Sequence, residues 1–392
     1  EDRLSDALHE RLTQRFVDKR TSVLMKRLQG DDKLIATVDA SSDVLVEGHY
    51  VGRLTGLSFE ADEMAQGQEG AVLINAAGRA LRRELDKRIA RIQKAGDAEF
   101  ELDVESGEIL FEAAPIARLT AGPSPLEPQI EIIASDFVEP ASQQVVRDRI
   151  SAWLTQEWRE RFAPLLMLKD SLDKGVDEKG RMLNGLARGI AFQLLENLGS
   201  MPRDGIRKEL KSLSSKERWQ LRAFGVRFAE ASIYMPLLLK PAFAKLRLLA
   251  WSVYHGVMPV PEAPPAGLTS VPREDMPEGY YEIAGFREIG QRAVRLDMLE
   301  RVAEKAREKA EKGPFEVEQE MMSVVGCTGE DFAAILKNLG YRPQKTEHGT
   351  VLYARKKPGK RPPRRKQQQS RRRQADSPFA ELEQLKRAMR TG

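Results

Sequence analysis

The chain has 392 residues, 41% hydrophobic and 31% charged, which is too long for one compact core and too polar for a membrane protein. No apolar run approaches the ~20 residues needed to cross a bilayer. A single cysteine, Cys327, excludes a disulfide framework and fits a reducing, cytoplasmic setting. The net charge is +4, but eleven basic residues and no acidic ones lie between Arg355 and Arg373, so the rest of the chain is acidic overall.

The first segment has the spacing of an amphipathic helix: Leu4, Leu8, Leu12, Phe16, Val23, Leu24 and Leu28, with charged residues between them. It opens without Met or a signal peptide, as expected of a fragment or a processed chain. Short strands are predicted at 34–38, 44–47 and 50–54, then a helix over 72–92. Strands return at 100–104, 108–111 and 116–119, before a third helix over 142–162. Val44 to Glu47 and Val51 to Thr55 match Ile109 to Glu112 and Ile116 to Thr120. The helices match too, at Leu8, Leu81 and Leu154, at Leu12, Leu85 and Trp158, and at Phe16, Ile89 and Phe162. This predicts a tandem helix–β-hairpin repeat in which each unit lends its apolar face to the next.

From Leu165 to Val257 the pattern reads as a helical bundle. Leu183, Leu186, Ile190, Leu194 and Leu198 form one stripe within 177–198. Ser214-Ser215-Lys216-Glu217 reads as a capping box opening a helix that runs to about Tyr234. Six prolines between Pro259 and Pro277 indicate a linker. Beyond it come helices over 298–312, 317–325 and 330–339, then a hairpin from Tyr341-Arg342 to Thr350–Tyr353: the outline of a winged helix.

The expected class is therefore α+β and mostly helical. Its divisions are a repeat domain at 1–164, a bundle at 165–258, a Pro-rich linker at 259–290 and a winged-helix-like domain at 291–356. A disordered basic tail at 357–378 and a short terminal helix at 379–392 complete the chain.

No phosphate-binding G-x-x-x-x-G-K motif followed by Ser or Thr occurs, and no G-x-S-x-G or H-E-x-x-H. The four histidines are scattered, so no metal cluster is readable from spacing. Glu282 and Glu288 read as solvated charges, and Cys327 as a small packed residue. The strongest chemical signal is the tail: Arg355, Lys356, Lys357, Lys360, Arg361, Arg364, Arg365, Lys366, Arg371, Arg372 and Arg373. Such a run neutralises phosphates and releases counterions without reading sequence. Arg79, Arg82, Arg83, Lys87 and Arg91 form a second basic face, opposite the Leu81-Leu85-Ile89-Ile92 stripe. In the winged-helix unit the third helix begins Glu330-Asp331, which repels phosphate, so Lys337, Asn338, Arg342 and Lys345, near the wing, are the better contact positions.

Four stretches carry a family resemblance: Glu1-Asp2-Arg3-Leu4 through Phe16-Val17-Asp18; Gly185-Leu186-Ala187-Arg188-Gly189-Ile190-Ala191-Phe192; Phe224–Phe228 with Pro236–Pro241; and Gly285-Phe286-Arg287 with Arg292–Arg301. They resemble the region that follows the helicase core in alphaproteobacterial DExH-box, superfamily-two helicases similar to the mitochondrial degradosome RNA helicase. The resemblance implies ATP-driven unwinding by the parent enzyme. The nucleotide loop, the acidic Mg²⁺ box and the arginine finger map onto no residue here, so ATP and Mg²⁺ are expected only on a helicase core in the same polypeptide. The expected partner is RNA, with DNA as the alternative, and no membrane. The competing reading is a stand-alone adaptor that docks to a ribosome or nuclease.

Overall fold

The computed structural model describes residues 35–62, 68–176, 179–345 and 351–355. The first predicted helix, the basic tail from Lys356 onward and the terminal helix lie outside the described residues. Within them the chain is α+β, with eleven α-helices and five small antiparallel sheets.

Four strands come first: β1 (Ala36–Val38), β2 (Asp43–Val46), β3 (His49–Thr55) and β4 (Ser58–Ala61), in the order β1-β2-β3-β4. α1 (Gln68–Lys94) follows. A second meander is built from β5 (Phe100–Leu102), β6 (Glu108–Phe111), β7 (Ala114–Ser124) and β8 (Glu127–Ile132), and α2 (Pro140–Arg161) comes next. Each sheet has a strand, β4 or β8, beyond the three expected. β4 is a short edge strand with no alternation to read, whereas β8 alternates exposed Glu127, Gln129 and Glu131 with Pro128, Ile130 and Ile132, and its proline masks it as a strand in the sequence. Leu81, Leu85 and Ile89 of α1 are buried, as are Leu154 and Trp158 of α2 and Phe162 at its C-cap.

The middle of the chain departs from a pure bundle. After α3 (Ala163–Asp173), helix α4 spans only Gly185–Glu196. Its inner face is Ala187, Ile190, Ala191 and Leu194, which leaves Leu186 exposed rather than on the buried stripe. β9 (Ser200–Pro202), α5 (Arg207–Ser212) and α6 (Ser215–Ala223) follow. The capping box forms: the Glu217 amide donates to Ser214 Oγ at 3.2 Å, and Ser214 N donates back to the Glu217 carboxylate at 2.9 Å. The helix then stops at Ala223 instead of running to Tyr234. Gly225 takes φ +85°, and residues 227–234 form β10 (Arg227–Phe228) and β11 (Ser232–Tyr234), which pair with each other, β11 also pairing with β9. Ile233 and Tyr234 pack as strand residues, and this tertiary pairing overrides the helical reading of the stretch.

α7 (Pro241–His255) leads into the proline-rich stretch, which is fastened to the body rather than open. Val260 and Ala263 pack on the main core, Tyr280 Oη donates to Glu262 O at 2.5 Å, and β12 (Ser270–Pro272) joins a sheet. α8 (Tyr280–Ala284), β13 (Phe286–Ile289) and β14 (Arg292–Arg295) complete that region. The β13–β14 hairpin straddles the expected boundary at 290/291. β14 turns Ala293 into the larger core, which runs from Val44, and Val294 into a smaller C-terminal core.

That smaller core is assembled by α9 (Leu296–Glu311), β15 (Phe315–Glu316), α10 (Gln319–Val325), α11 (Gly329–Asn338), β16 (Tyr341–Lys345) and β17 (Val351–Arg355). β15 was not legible in advance, being two residues long, and it converts the expected hairpin into a three-stranded sheet ordered β15-β17-β16. No described helix is long and apolar enough to cross a membrane.

Candidate nucleic-acid interface

The basic face of α1 is present but partly self-compensated. Lys87 pairs with Glu84 at 3.2 Å and Arg91 with Glu112 at 3.0 Å. Exposed Asp86 stands among Arg79, Arg82 and Arg83, which are exposed and form no ion pair among the described residues. Arg88, on the inner side, is spent on the fold. Its Nη1 donates to Leu54 O at 3.1 Å and Gly56 O at 2.8 Å, and its Nη2 to Ser42 Oγ at 2.7 Å. Burial holds its pKa below the ordinary arginine value. A cleft of about 440 Å³ opens beside it, but Arg53, Arg88 and Arg91 there face Asp39, Glu84 and Glu112, so its charges balance.

A second cleft, of about 330 Å³, is different. Arg203, Arg207, Leu210, Lys211, Arg218 and Glu230 line one side, and Asn338, Leu339 and Gly340 the other. Arg203 Nη1 donates to Ala229 O at 2.9 Å, and Arg218 Nη2 donates to Leu210 O. Both guanidinium groups are thus oriented by backbone carbonyls, which fix geometry without cancelling charge. Arg207 is offset by Asp204 at 2.6 Å, and exposed Lys211 makes no ion pair among the described residues. The carbonyl end of α11 contributes roughly half a negative charge. Four cations against Glu230, Asp204 and that dipole leave the cleft positive.

Lys337 and Arg342, two of the expected contact residues, flank the far wall in sequence and are exposed. Lys345 and Arg355 occupy the hairpin strands β16 and β17. The remaining tail residues, Lys356 to Arg373, lie outside the described residues. Arg203, Arg207 and Lys211 were missed by sequence reasoning. Their i, i+4, i+8 spacing was a usable signal, but Asp204 and Glu209 between them conceal the net charge.

The strands behind the cleft are tied to the C-terminal unit at Glu300. Glu300 of α9 accepts from Tyr234 Oη at 2.6 Å and pairs with Arg227 at 2.9 Å. Burial, reinforced by this carboxylate, pushes the Tyr234 phenol up. Arg287, at 3.3 Å from Asp204, adds a second tie.

Four ionisable groups lie outside these clefts. Glu282 is half-buried, not a freely solvated charge as expected, and burial pushes its carboxyl up. Glu288 pairs with Arg273 at 2.8 Å. Burial raises the Cys327 thiol, the opposite of what a nucleophile needs. Arg247 is fully buried with only uncharged oxygens as partners, and desolvation lowers it to about 9. No group of three or more metal-ligating side chains occurs among the described residues.

Comparison with known protein families, curated proteins and solved structures returns no match.

Proposed function

We propose that this chain is a nucleic-acid-binding accessory region of an ATP-dependent DExH helicase, acting on RNA in preference to DNA. The observation that carries the reading is the convergence of Arg203, Arg207, Lys211 and Arg218 with the 338–340 turn in one positive cleft. Cations fixed in a groove attract a phosphate backbone and release its counterions. The family resemblance supplies the helicase context, and the basic run from Arg355 lies at the end of the C-terminal unit that forms the cleft's far wall.

Two finer readings belong to the same proposal. The first is that the two four-stranded sheets are copies of one helix–hairpin unit. In its favour, both central hairpins carry a bulge at the same point, between Val44 and Leu45 and between Ile109 and Leu110. The second is that residues 296–355 form a winged helix. The order helix, strand, helix, helix, strand, strand supports it. In this reading the cleft lies at the C-terminal end of the third helix, away from the acidic Glu330-Asp331 end.

The test is binding of labelled single-stranded RNA and DNA of about 12 nucleotides, between about 50 and 200 mM salt. Affinity should fall steeply with salt, each neutralised phosphate adding about 0.7 to the slope. Deleting residues 355–374 should flatten the slope, and Lys211→Glu with Arg207→Glu should flatten what remains. A slope that neither change alters would overturn the proposal.

A further inference from the structure

Trp219 is 69% exposed, the most exposed large aromatic side chain among the described residues. It sits on α6 with exposed Lys216 and Arg222 three residues to either side, and directly follows Arg218, a wall of the positive cleft. The edge beneath it is braced. Arg218 and Arg222 both lie over the ring of Phe228, at 5.7 and 5.9 Å from its centroid. The opposite face of α6 is fastened by Leu221, which is buried, and by Gln220 Oε1, which accepts from Asn184 N at 3.4 Å. An indole left in water forgoes a large favourable burial, and here it stands on a rigid, cationic ridge instead of in an apolar patch of its own helix.

We infer that Trp219 is a stacking platform for an unpaired base whose backbone phosphates lie in the Arg203–Arg218 cleft, so that the site takes single-stranded nucleic acid in preference to duplex. This rests on the nucleic-acid reading above and deepens it. A flat aromatic face accepts the π-face of any base, while paired bases inside a duplex offer none. Charge complementarity favours this occupant over a protein. Lys216, Arg218 and Arg222 stand within one helical turn of Trp219 and make its edge of α6 positive, which a polyanion satisfies and an apolar partner surface would have to desolvate.

The other three tryptophans, Trp153, Trp158 and Trp251, are buried, so ligand-induced change in tryptophan emission reports Trp219. The full chain is titrated with a single-stranded oligoadenylate RNA of about 12 nucleotides and with a blunt RNA duplex of matching charge. The expected result is quenching by the single strand and little by the duplex. Trp219→Ala should weaken single-strand binding roughly ten-fold or more, in line with base–aromatic stacking. It should leave the salt slope unchanged, since no phosphate contact is lost. Trp219→Phe should restore most of the affinity. Because the ring is exposed, neither variant should alter thermal unfolding. A chain lacking residues 355–374 should show the same quenching, which separates this signal from binding by the basic run.

The outcomes separate. Salt-sensitive RNA binding with unquenched emission and an unaffected Trp219→Ala variant would overturn the stacking role while leaving the function standing. Failure to bind any nucleic acid would remove both. Quenching by the duplex equal to that by the single strand would refute the strand preference. A Trp219→Ala variant that binds RNA normally but loses a protein partner would assign the ring to protein docking instead.

Discussion

In the first sheet the chain reverses between β2 and β3 at Glu47 and Gly48, with φ of +51° and +75°; in the second it reverses between β6 and β7 at Glu112 and Ala113, with φ of +52° and +61°. Two left-handed residues are what a tight hairpin loop requires to match the strand twist. Cross-strand partners also correspond: Val44 faces Gly52 as Ile109 faces Ala117, and Asp43 faces Arg53 as Glu108 faces Arg118. The two sheets part company in their bracing. A β-carbon on Gly52 would stand 2.2 Å from Glu60 O, whereas Ala117 fits its own site. Arg88 of α1 is half-buried and holds three oxygens of the first sheet and its turns, while Arg161 of α2 is exposed and, among the described residues, pairs with Glu157 of its own helix at 2.7 Å. The same hairpin geometry is thus met by two different tertiary solutions. In the first, Arg88 and the close approach at Gly52 sit at the central hairpin. In the second the ties lie elsewhere: Arg147 Nε donates to Ile130 O of β8 at 3.3 Å, Arg149 stands over the Phe100 ring at 4.7 Å, a β-carbon on Gly122 would stand 1.8 Å from Glu127 O, and the Phe100 and Trp153 rings lie 5.6 Å apart.

The largest effect should come from what the two regions share. Leu85→Ala and Trp158→Ala each remove a buried side chain from the helix that follows each sheet, at positions paired in the proposed repeat, and each should cost about 3–5 kcal/mol in denaturant unfolding. A cost near zero at either would break the correspondence. Gly52→Ala should come next, at about 3 kcal/mol, because a backbone carbonyl has to move; Ala117→Gly should cost only about 1 kcal/mol. Equal values would show that the close approach in β3 is unimportant. Arg88→Met should cost about 2 kcal/mol by leaving Leu54 O and Gly56 O without their donor. Arg161→Met, in contrast, should stay within about 0.5 kcal/mol. The smallest effect concerns Glu131. Its bond to Arg118 at 2.7 Å holds the carboxyl below its ordinary value. The pair therefore stabilises above the unfolded carboxylate pKa, and the gain is lost as pH falls through the lower folded value. Glu131→Gln should shift the unfolding midpoint slightly at neutral pH and not at all in strong acid.

Much of this architecture was legible locally. Alternation marked β2, β3, β6 and β7, the Ser214–Glu217 pair marked a helix start, and the 3.6-residue stripe marked α1 and α2. Glu112-Ala113 was not legible as a left-handed turn, since neither residue favours it; the flanking strands impose it at a cost of about 1 kcal/mol or more. β4 and the two-residue β15 were missed because pairing, not composition, makes them strands, and β8 because Pro128 demotes an otherwise alternating stretch. The tail and α1 were visible as basic runs, yet Arg203, Arg207, Lys211 and Arg218 were not.

The sequence alone determined the periods: where the backbone would be helical or extended, where apolar residues would seek cover, and that the charge would concentrate after Arg355. Only the tertiary structure decided phase and meeting places. α4 begins at Gly185, and that start turns Leu186 outward; β11 claims Ile233 and Tyr234 from a helix; β14 divides Ala293 and Val294 between two cores. The cleft joins residues 203–218 to 338–340, more than a hundred positions apart, and Glu300 of α9 ties β10 and β11 to the C-terminal unit through Arg227 and Tyr234. The reason is physical. Periodicity is a property of neighbouring residues, but which face is buried, and which cations are left facing a groove, depends on elements that a local pattern never touches.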